Sequence, residues 1–156
     1  TAGQALVARE LGGGRDARAR SAGQRVLVWS VAASAVLGAV TLLGHRVIAD
    51  VFSADQAVVA AAAGALIWVA AGQPVAGPAF ALDGILVGAG DLRFLAGAML
   101  VVAATFAAGS ALTLASGAGL WALWATLTAA MVVRTALMSH RYRSGAWVRT
   151  GPAMSA

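Results

Sequence analysis

The sequence predicts an all-α integral membrane protein, a polytopic helical bundle. Of its 156 residues, 60% are hydrophobic and only 11% are charged, whereas a soluble domain of this size carries about 25% charged residues. Four apolar runs are each about 20 residues or longer, which as helices is enough to cross a hydrocarbon core of roughly 30 Å. The alternative, a soluble Ala-rich bundle, needs amphipathic helices with a polar face, and these runs have none.

The apolar runs and their breaks define the helical elements. A helix end covers residues 1–11 and stops at Gly12-Gly13-Gly14, because glycine readily adopts the left-handed C-cap conformation. The polar stretch RDARARSAGQR is expected to connect it to the first span. Asp55 is placed to cap the second span. In chain order, the spans are expected at about 24–48, 57–87, 94–114 and 119–139.

The basic residues indicate how these spans are oriented. All eleven are arginine, and if the four runs alternate across the membrane, nine fall on one side and only Arg46 on the other. Segments on the cytoplasmic side carry an excess of basic residues, so the arginine-rich side and the C-terminus are predicted to be cytoplasmic, in a cell (plasma) membrane. Arginines at the ends of apolar runs do not form a phosphate-binding stripe, so no nucleic-acid partner is expected. No Ser/His/Asp, Cys/His or metal-ligand cluster supports an enzyme.

One ionisable side chain, Asp83, lies inside the otherwise uncharged stretch from Gln56 to Gly90. It precedes Asp91 by eight residues, or about 12 Å at the helical rise. A carboxylate inside a membrane span costs about 2.5–3.5 kcal/mol on insertion scales, so we expect it to face the bundle interior or an aqueous cavity. We hypothesise that Asp83 couples transport to protons or another cation. A structural Asp that hydrogen-bonds to a neighbouring helix is the alternative.

Two prolines and three other residues of the same helix extend this hypothesis. Pro74 and Pro78 free backbone carbonyls, which can bind cations or allow the helix to bend between two states. An ordinary tolerated kink is the alternative interpretation. The predicted cavity face is the quadrant of the helical wheel formed by Gln73, Phe80, Asp83 and Val87.

The other marked residues have structural interpretations. Gly84 and Gly88 form a Gly-x-x-x-Gly pair, which predicts close helix packing. Asp91 and Arg93 are expected to cap and anchor a tight turn on the arginine-rich side. Arg134 lies within the last apolar run, and we expect its side chain to extend to the membrane interface.

Three segments occur in order between the apolar runs: QALVARELGGGRDARAR, VFSADQAVV and QPVAGPAFALDGILVGAGDLRF. With them the chain resembles the multidrug and toxic compound extrusion (MATE) transporters, most closely their bacterial DNA-damage-inducible branch. The resemblance implies a C-terminal fragment of a twelve-helix transporter. Residues 1–140 would supply most of the C-terminal six-helix lobe, and residues 141–156 a basic cytoplasmic tail. The missing N-terminal lobe would be its partner, and membrane lipid would surround both.

The resemblance also implies an antiporter that exports small organic compounds, cationic or amphiphilic, in exchange for H⁺ or Na⁺ by alternating access, with no other cofactor. In some members a carboxylate of the tenth helix takes part in cation binding, and Asp83 occupies the matching place. The acidic residues of the first and seventh helices lie outside this sequence, so the coupling ion stays open. One alternative is a lipid-linked oligosaccharide flippase of the same superfamily, against which a cavity face without arginine argues. Another is a non-transporting membrane subunit that acts by helix packing.

Overall fold

The computed structural model describes residues 2–148, which form five α-helices and no β-strand. Helices α2 to α5 are each long and apolar enough to cross a membrane. The predicted fold class, a polytopic helical membrane bundle, is confirmed. The predicted tail beyond residue 148 lies outside the described residues. In chain order, the helices are α1 Ala2–Gly12, α2 Asp16–Phe52, α3 Gln56–Gly88, α4 Leu92–Ser116 and α5 Gly119–Arg143.

Local chemistry sets the two ends of α3. Asp55 caps its beginning as predicted, since Oδ1 of Asp55 accepts a hydrogen bond from the Ala57 N–H at 2.8 Å. At its other end Gly90 has a φ of 74°, in the left-handed region that glycine adopts without strain. The N–H groups of Gly90 and Asp91 each donate to carbonyls in the last turn at 3.0 Å, which is the Schellman pattern. The chain therefore passes from α3 to α4 in a tight turn.

The outer spans are longer than predicted. RDARARSAGQR does not form a separate polar connection but continues as the first turns of α2, because alanine and arginine are strong helix formers. Helix α5 likewise continues to Arg143, and the chain then folds back against the bundle. Trp147 is 1% exposed and its Nε1–H donates to the Tyr142 carbonyl at 3.0 Å. The described part of the predicted tail, residues 141–148, therefore packs against the bundle.

Helix α3 is the centre of the bundle and contacts α1, α2, α4 and α5. Its last turns pack at the end of the bundle where Arg141 pairs with Asp91 and Arg20 lies beside Gly145, which we call the arginine-rich end. Elsewhere the apolar surface is open, because at most 17% of the most apolar window of each span is buried. Such a surface requires lipid or further protein around it. The buried cluster at the arginine-rich end consists of Val7, Leu82, Ile85, Leu86, Leu95, Ala98, Met138 and Trp147.

Small residues bring α2 and α3 close together beside the two prolines. A Cβ added to Gly38 would lie 3.0 Å from the Ala70 carbonyl oxygen and 3.1 Å from Cβ of Gln73. The Ser30 hydroxyl donates to the Gly77 carbonyl at 2.7 Å. This polar and small-residue contact fixes α2 to the proline-containing half of α3, as expected for helices packed within a membrane.

Only one residue of the Gly84–Gly88 pair packs closely against another helix within the described residues. A methyl group on Gly88 would overlap the backbone of Gln4 in α1, whereas one on Gly84 would meet no atom within 4 Å. Close packing holds for Gly88, because α1 crosses α3 at that turn. Gly84 makes no such contact within the described residues, so its packing role stays a prediction.

The variants Gly88→Ala and Gly84→Ala therefore form a matched pair with opposite expected results. G88A should lower the free energy of unfolding by about 1–3 kcal/mol, the usual cost of overpacking. G84A should raise it slightly, by up to about 0.5–1 kcal/mol, because alanine favours a helix interior over glycine. Reversible denaturation of the purified protein, followed by circular dichroism, measures both. Equal destabilisation by the two variants would contradict the packing described for α1 and α3.

Candidate functional site

The side chain of Asp83 pairs with that of Arg134, which lies on α5, 51 residues later in the chain. Nη2 of Arg134 donates to Oδ2 of Asp83, and only about a fifth of each side chain is exposed, 20% and 19% respectively. The ring of Phe80, about one turn earlier on α3, lies 5.0 Å from Cζ of Arg134, a favourable cation–π distance. These three side chains form what we call the α3–α5 site.

The ion pair leaves part of its hydrogen-bonding capacity unused. Oδ1 of Asp83 and Nε of Arg134 are both buried and have no hydrogen-bond partner within residues 2–148. A buried polar group without a partner costs about 1–3 kcal/mol, and more when it is charged. The site can therefore gain free energy by binding a group that satisfies these atoms. A cation or proton suits Oδ1, and a hydrogen-bond acceptor suits Nε–H.

A second ion pair of the same kind lies at the arginine-rich end. Arg141 donates to Asp91 through Nε at 2.6 Å and through Nη2 at 3.2 Å, and Phe94 lies 5.1 Å from Cζ of Arg141. Asp91 therefore binds Arg141 and makes no side-chain cap of α4, a correction to its predicted role. Because Arg141 follows Arg134 by seven residues within α5, the two pairs are about 10 Å apart along that helix. The outer pair joins the helix ends, whereas the inner pair lies within the spans.

A hydroxyl beside Arg134 connects α5 to the proline-containing segment of α3. Oγ1 of Thr135 lies 3.0 Å from the carbonyl oxygen of Val75 and 2.9 Å from that of Met131 in its own helix. A hydroxyl has one proton to donate, so these two carbonyls compete for it. Val75 lies between Pro74 and Pro78, and α3 remains helical through both prolines. The predicted hinge segment thus contacts α5 as well as α2.

The predicted cavity face is divided between two neighbouring helices. Asp83 and Phe80 face Arg134 on α5, whereas Gln73 packs against Gly38 on α2. The ten residues from Gln73 to Asp83 end about 80° short of three whole helical turns, enough to change the neighbour. Val87 is 37% exposed and belongs to neither contact.

Arg134 turns inward instead of extending to the interface, and sequence reasoning missed it as a site residue. The sequence feature that could have identified Arg134 is its depth in the last span. It precedes Arg141 by seven residues and Asp83 precedes Asp91 by eight, so one acid and one base lie at nearly equal depth in two spans. Pairing removes much of the cost of burying either charge alone. The face of α3 that carries Asp83 therefore contacts an arginine, whereas the sequence interpretation placed none there.

The comparisons with known proteins agree with the resemblance drawn from the three motifs. A family model described as MatE matches residues 1–112. Protein DETOXIFICATION 44, chloroplastic, of Arabidopsis thaliana is 32% identical over 151 residues, which are 97% of this chain and 28% of that protein. Protein DETOXIFICATION 42 of the same plant is 34% identical over the same shares of the two chains.

Protein DETOXIFICATION 43 of Arabidopsis thaliana is 36% identical over 104 residues, 67% of this chain and 19% of that protein. The chain thus spans less than a third of the length of these curated relatives. No solved structure matches it significantly. The family model covers well over half of the chain, and the four apolar helices have the length and composition of membrane spans. The chain belongs to the MatE family.

Proposed function

We propose that the chain is part of a cation-coupled antiporter that removes small organic solutes from the cell by alternating access, with Asp83 as the coupling carboxylate. The observation that carries this proposal is the buried Asp83–Arg134 pair with its unsatisfied Oδ1. Support also comes from the relatives, whose names contain the word detoxification. We propose a plasma-membrane location, and from the positive-inside rule we propose that the arginine-rich end lies on the cytoplasmic side.

Coupling requires that a cation bind differently to two conformations. A cation bound at Oδ1 neutralises Asp83 and thereby weakens its attraction for Arg134. The α3–α5 contact then loses an ion pair, and Thr135 can turn from the Val75 carbonyl to that of Met131 in its own helix. Helix α5 is thus freed to move relative to the proline-containing segment of α3. Loss of the cation restores the ion pair and the original contact.

A proton fits this site better than Na⁺ does. A proton needs a single free carboxylate oxygen, whereas Na⁺ sites in transporters are built largely from carbonyls of unwound helices. Helix α3 is continuous through residues 56–88, so its carbonyls remain mostly in the helical ladder. Among residues 2–148, no group of three or more His, Cys, Asp or Glu side chains could hold a metal ion. We therefore propose H⁺ as the coupling ion and Na⁺ as the competing outcome.

We propose that alternating access requires a second lobe that moves against the helices described here. Small organic cations or amphiphilic compounds would bind between the two lobes. The flippase alternative gains one observation, because Arg134 supplies an arginine on the face of Asp83. That arginine is already neutralised by Asp83, however, so it is not a free cation for a phosphate-linked sugar. Solute efflux therefore remains the function that the site supports best.

Transport by the intact transporter in proteoliposomes tests this proposal. A pH gradient imposed without Na⁺ should drive export of a fluorescent organic cation, and a Na⁺ gradient at equal pH should not. Transport driven only by Na⁺ would overturn the proposal that H⁺ is the coupling ion, but it would support the proposed antiport. Absence of transport under either gradient, together with movement of lipid-linked oligosaccharide between leaflets, would overturn the efflux function.

A further inference from the structure

The outward face of α2 carries a pattern that is independent of the α3–α5 site. Exposed residues at helical spacing form one stripe, which starts basic and polar at the arginine-rich end and continues apolar along the span. All of them lie within about 60° of Arg25 on the helical wheel, and no described helix covers them. We call this set the α2 stripe; it consists of Arg18, Ser21, Arg25, Trp29, Val36 and Val40.

The basic end of the α2 stripe lines two adjoining grooves. Arg18, Ser21 and Arg25 border a groove of about 320 Å³ between α1 and α2. A second groove of about 280 Å³ shares Ser21 and Arg25 and reaches Trp29. The side chains of Arg18, Ser21 and Arg25 make no hydrogen bond or ion pair with any residue from 2 to 148. Within the described chain, their donors are therefore available to a ligand.

The acidic residue of the first groove, Glu10, forms its ion pair with a third arginine, Arg15, and attracts Arg18 without an ion pair. Nε of Arg15 lies 2.7 Å from Oε2 of Glu10. The hydrogen bond from Arg15 lowers the pKa of Glu10 from its ordinary value, so the carboxylate stays ionised and paired. The groove thus keeps the charge of two guanidinium groups with a hydroxyl between them. Planar guanidinium forks match the oxygen atoms of a phosphate group.

The apolar part of the α2 stripe favours the phosphate of a lipid over a soluble phosphate. Trp29 lies about 6 Å beyond Arg25 along the helix and is 75% exposed, and tryptophan favours the level between headgroups and acyl chains. Val36 and Val40, further along, are 64% and 59% exposed. A phosphate held at the arginines would therefore leave acyl chains in contact with an apolar surface.

We propose that the α2 stripe binds an anionic phospholipid, whose phosphate is held by Arg18 and Arg25 and whose acyl chains lie along Val36 and Val40. The lipid follows the order of the side chains, with the charged group at the arginine-rich end, the glycerol level at Trp29 and hydrocarbon beyond. This site is separate from Asp83 and does not depend on the proposed transport activity.

Lipid-specific fluorescence quenching tests the site, because residues 1–156 have no cysteine and a single one can be introduced there, with any cysteine outside them replaced by serine. Val28→Cys borders the second groove and would carry a fluorescent maleimide in the intact protein in phosphatidylcholine vesicles. Nitroxide-labelled phosphatidylglycerol should quench it at a lower mole fraction than nitroxide-labelled phosphatidylcholine. Each arginine near an anionic lipid contributes roughly fivefold in affinity, so we expect a preference of about 25-fold that R18Q/R25Q brings close to one.

Leu114→Cys is the matched control, since Leu114 is an exposed apolar residue at the other end of the bundle. Both lipids should quench it equally, with and without R18Q/R25Q, which also shows that the double variant remains folded. Equal quenching at Val28, or a preference that survives R18Q/R25Q, would overturn the proposal. Quenching by neither lipid at Val28 would mean that protein covers this face, and would overturn it as well. Loss of the preference in excess glycerol phosphate would assign the groove to a soluble phosphate instead.

Discussion

Asp83→Asn should strongly reduce ion-driven efflux by the transporter that contains this chain, while leaving its amount in the membrane unchanged. Asparagine keeps the size of the side chain and an oxygen that can accept from Arg134, but it cannot bind a proton at neutral pH. Coupling between two binding equilibria is typically about 5- to 150-fold, so we expect gradient-driven export to fall by about 10- to 100-fold. Gradient-independent exchange of substrate should fall much less, because it requires no net proton movement.

The Asp91→Asn variant provides the matched control for D83N. It breaks a carboxylate–guanidinium pair of the same kind, also backed by a phenyl ring, but at the helix ends rather than within the spans. The outer pair is about as buried as the inner one, with side chains 21% and 14% exposed against 20% and 19%. We expect D91N to retain ion-driven efflux within about twofold, because its carboxylate lies outside the contact proposed to differ between the two conformations. Measurement of efflux from proteoliposomes containing equal amounts of each variant separates the two results. Normal ion-driven efflux by D83N would remove Asp83 from the coupling mechanism.

The Arg134→Gln variant should show the largest loss of stability among single substitutions in the α3–α5 site. Removing one partner of a buried ion pair costs about 3–5 kcal/mol, because the other charge stays buried without compensation. We expect the lower end, about 3 kcal/mol, since a fifth of each side chain is exposed. The cation–π contact with Phe80 is lost in the same variant. The free energy of unfolding in detergent, from reversible denaturation, measures the effect.

The double variant D83N/R134Q separates stability from coupling. Replacing a buried ion pair by a neutral pair is often close to neutral for stability, so the double variant should recover most of the stability that R134Q loses. Ion-driven efflux should nevertheless stay as low as in D83N, because no titratable group remains in the site. If D83N/R134Q were as unstable as the sum of the two single variants, the two side chains would not be interacting. If the double variant transported normally, the ion pair would be a structural contact only, and Asp83 would have no role in coupling.

Sequence reasoning reached the site only in part, as α3 illustrates. Asp83 stood out because an isolated carboxylate in an apolar run is costly, and this cost can be read without knowing any neighbour. Gln73 and Asp83 were assigned to one face by their positions on the helix, but this spacing does not say which helix lies opposite each residue. The packing of α2 against Gly38 and Gln73, and of α5 against Asp83, decides that question.

Arg134 shows most clearly why the partner of Asp83 was not predicted. Along a soluble helix, a polar stripe and an apolar stripe indicate which side faces inward. Helices α3 and α5 are apolar around nearly their whole circumference and have almost no such asymmetry. The sequence therefore does not determine how each helix is rotated about its axis. For the same reason it does not determine the direction in which Arg134 points.

The sequence by itself determined the properties that depend on composition and local chemistry. These are the membrane class, the approximate spans, the Asp55 cap, the glycine turn at Gly90 and the membership of the MatE family that its motifs indicate. The tertiary structure alone decided which side chains meet, including Asp83 with Arg134, Asp91 with Arg141 and Gly88 with the backbone of α1. The physical reason is that hydropathy and caps act within one helix. An ion pair between residues 51 positions apart depends instead on how two uniformly apolar helices are rotated and packed.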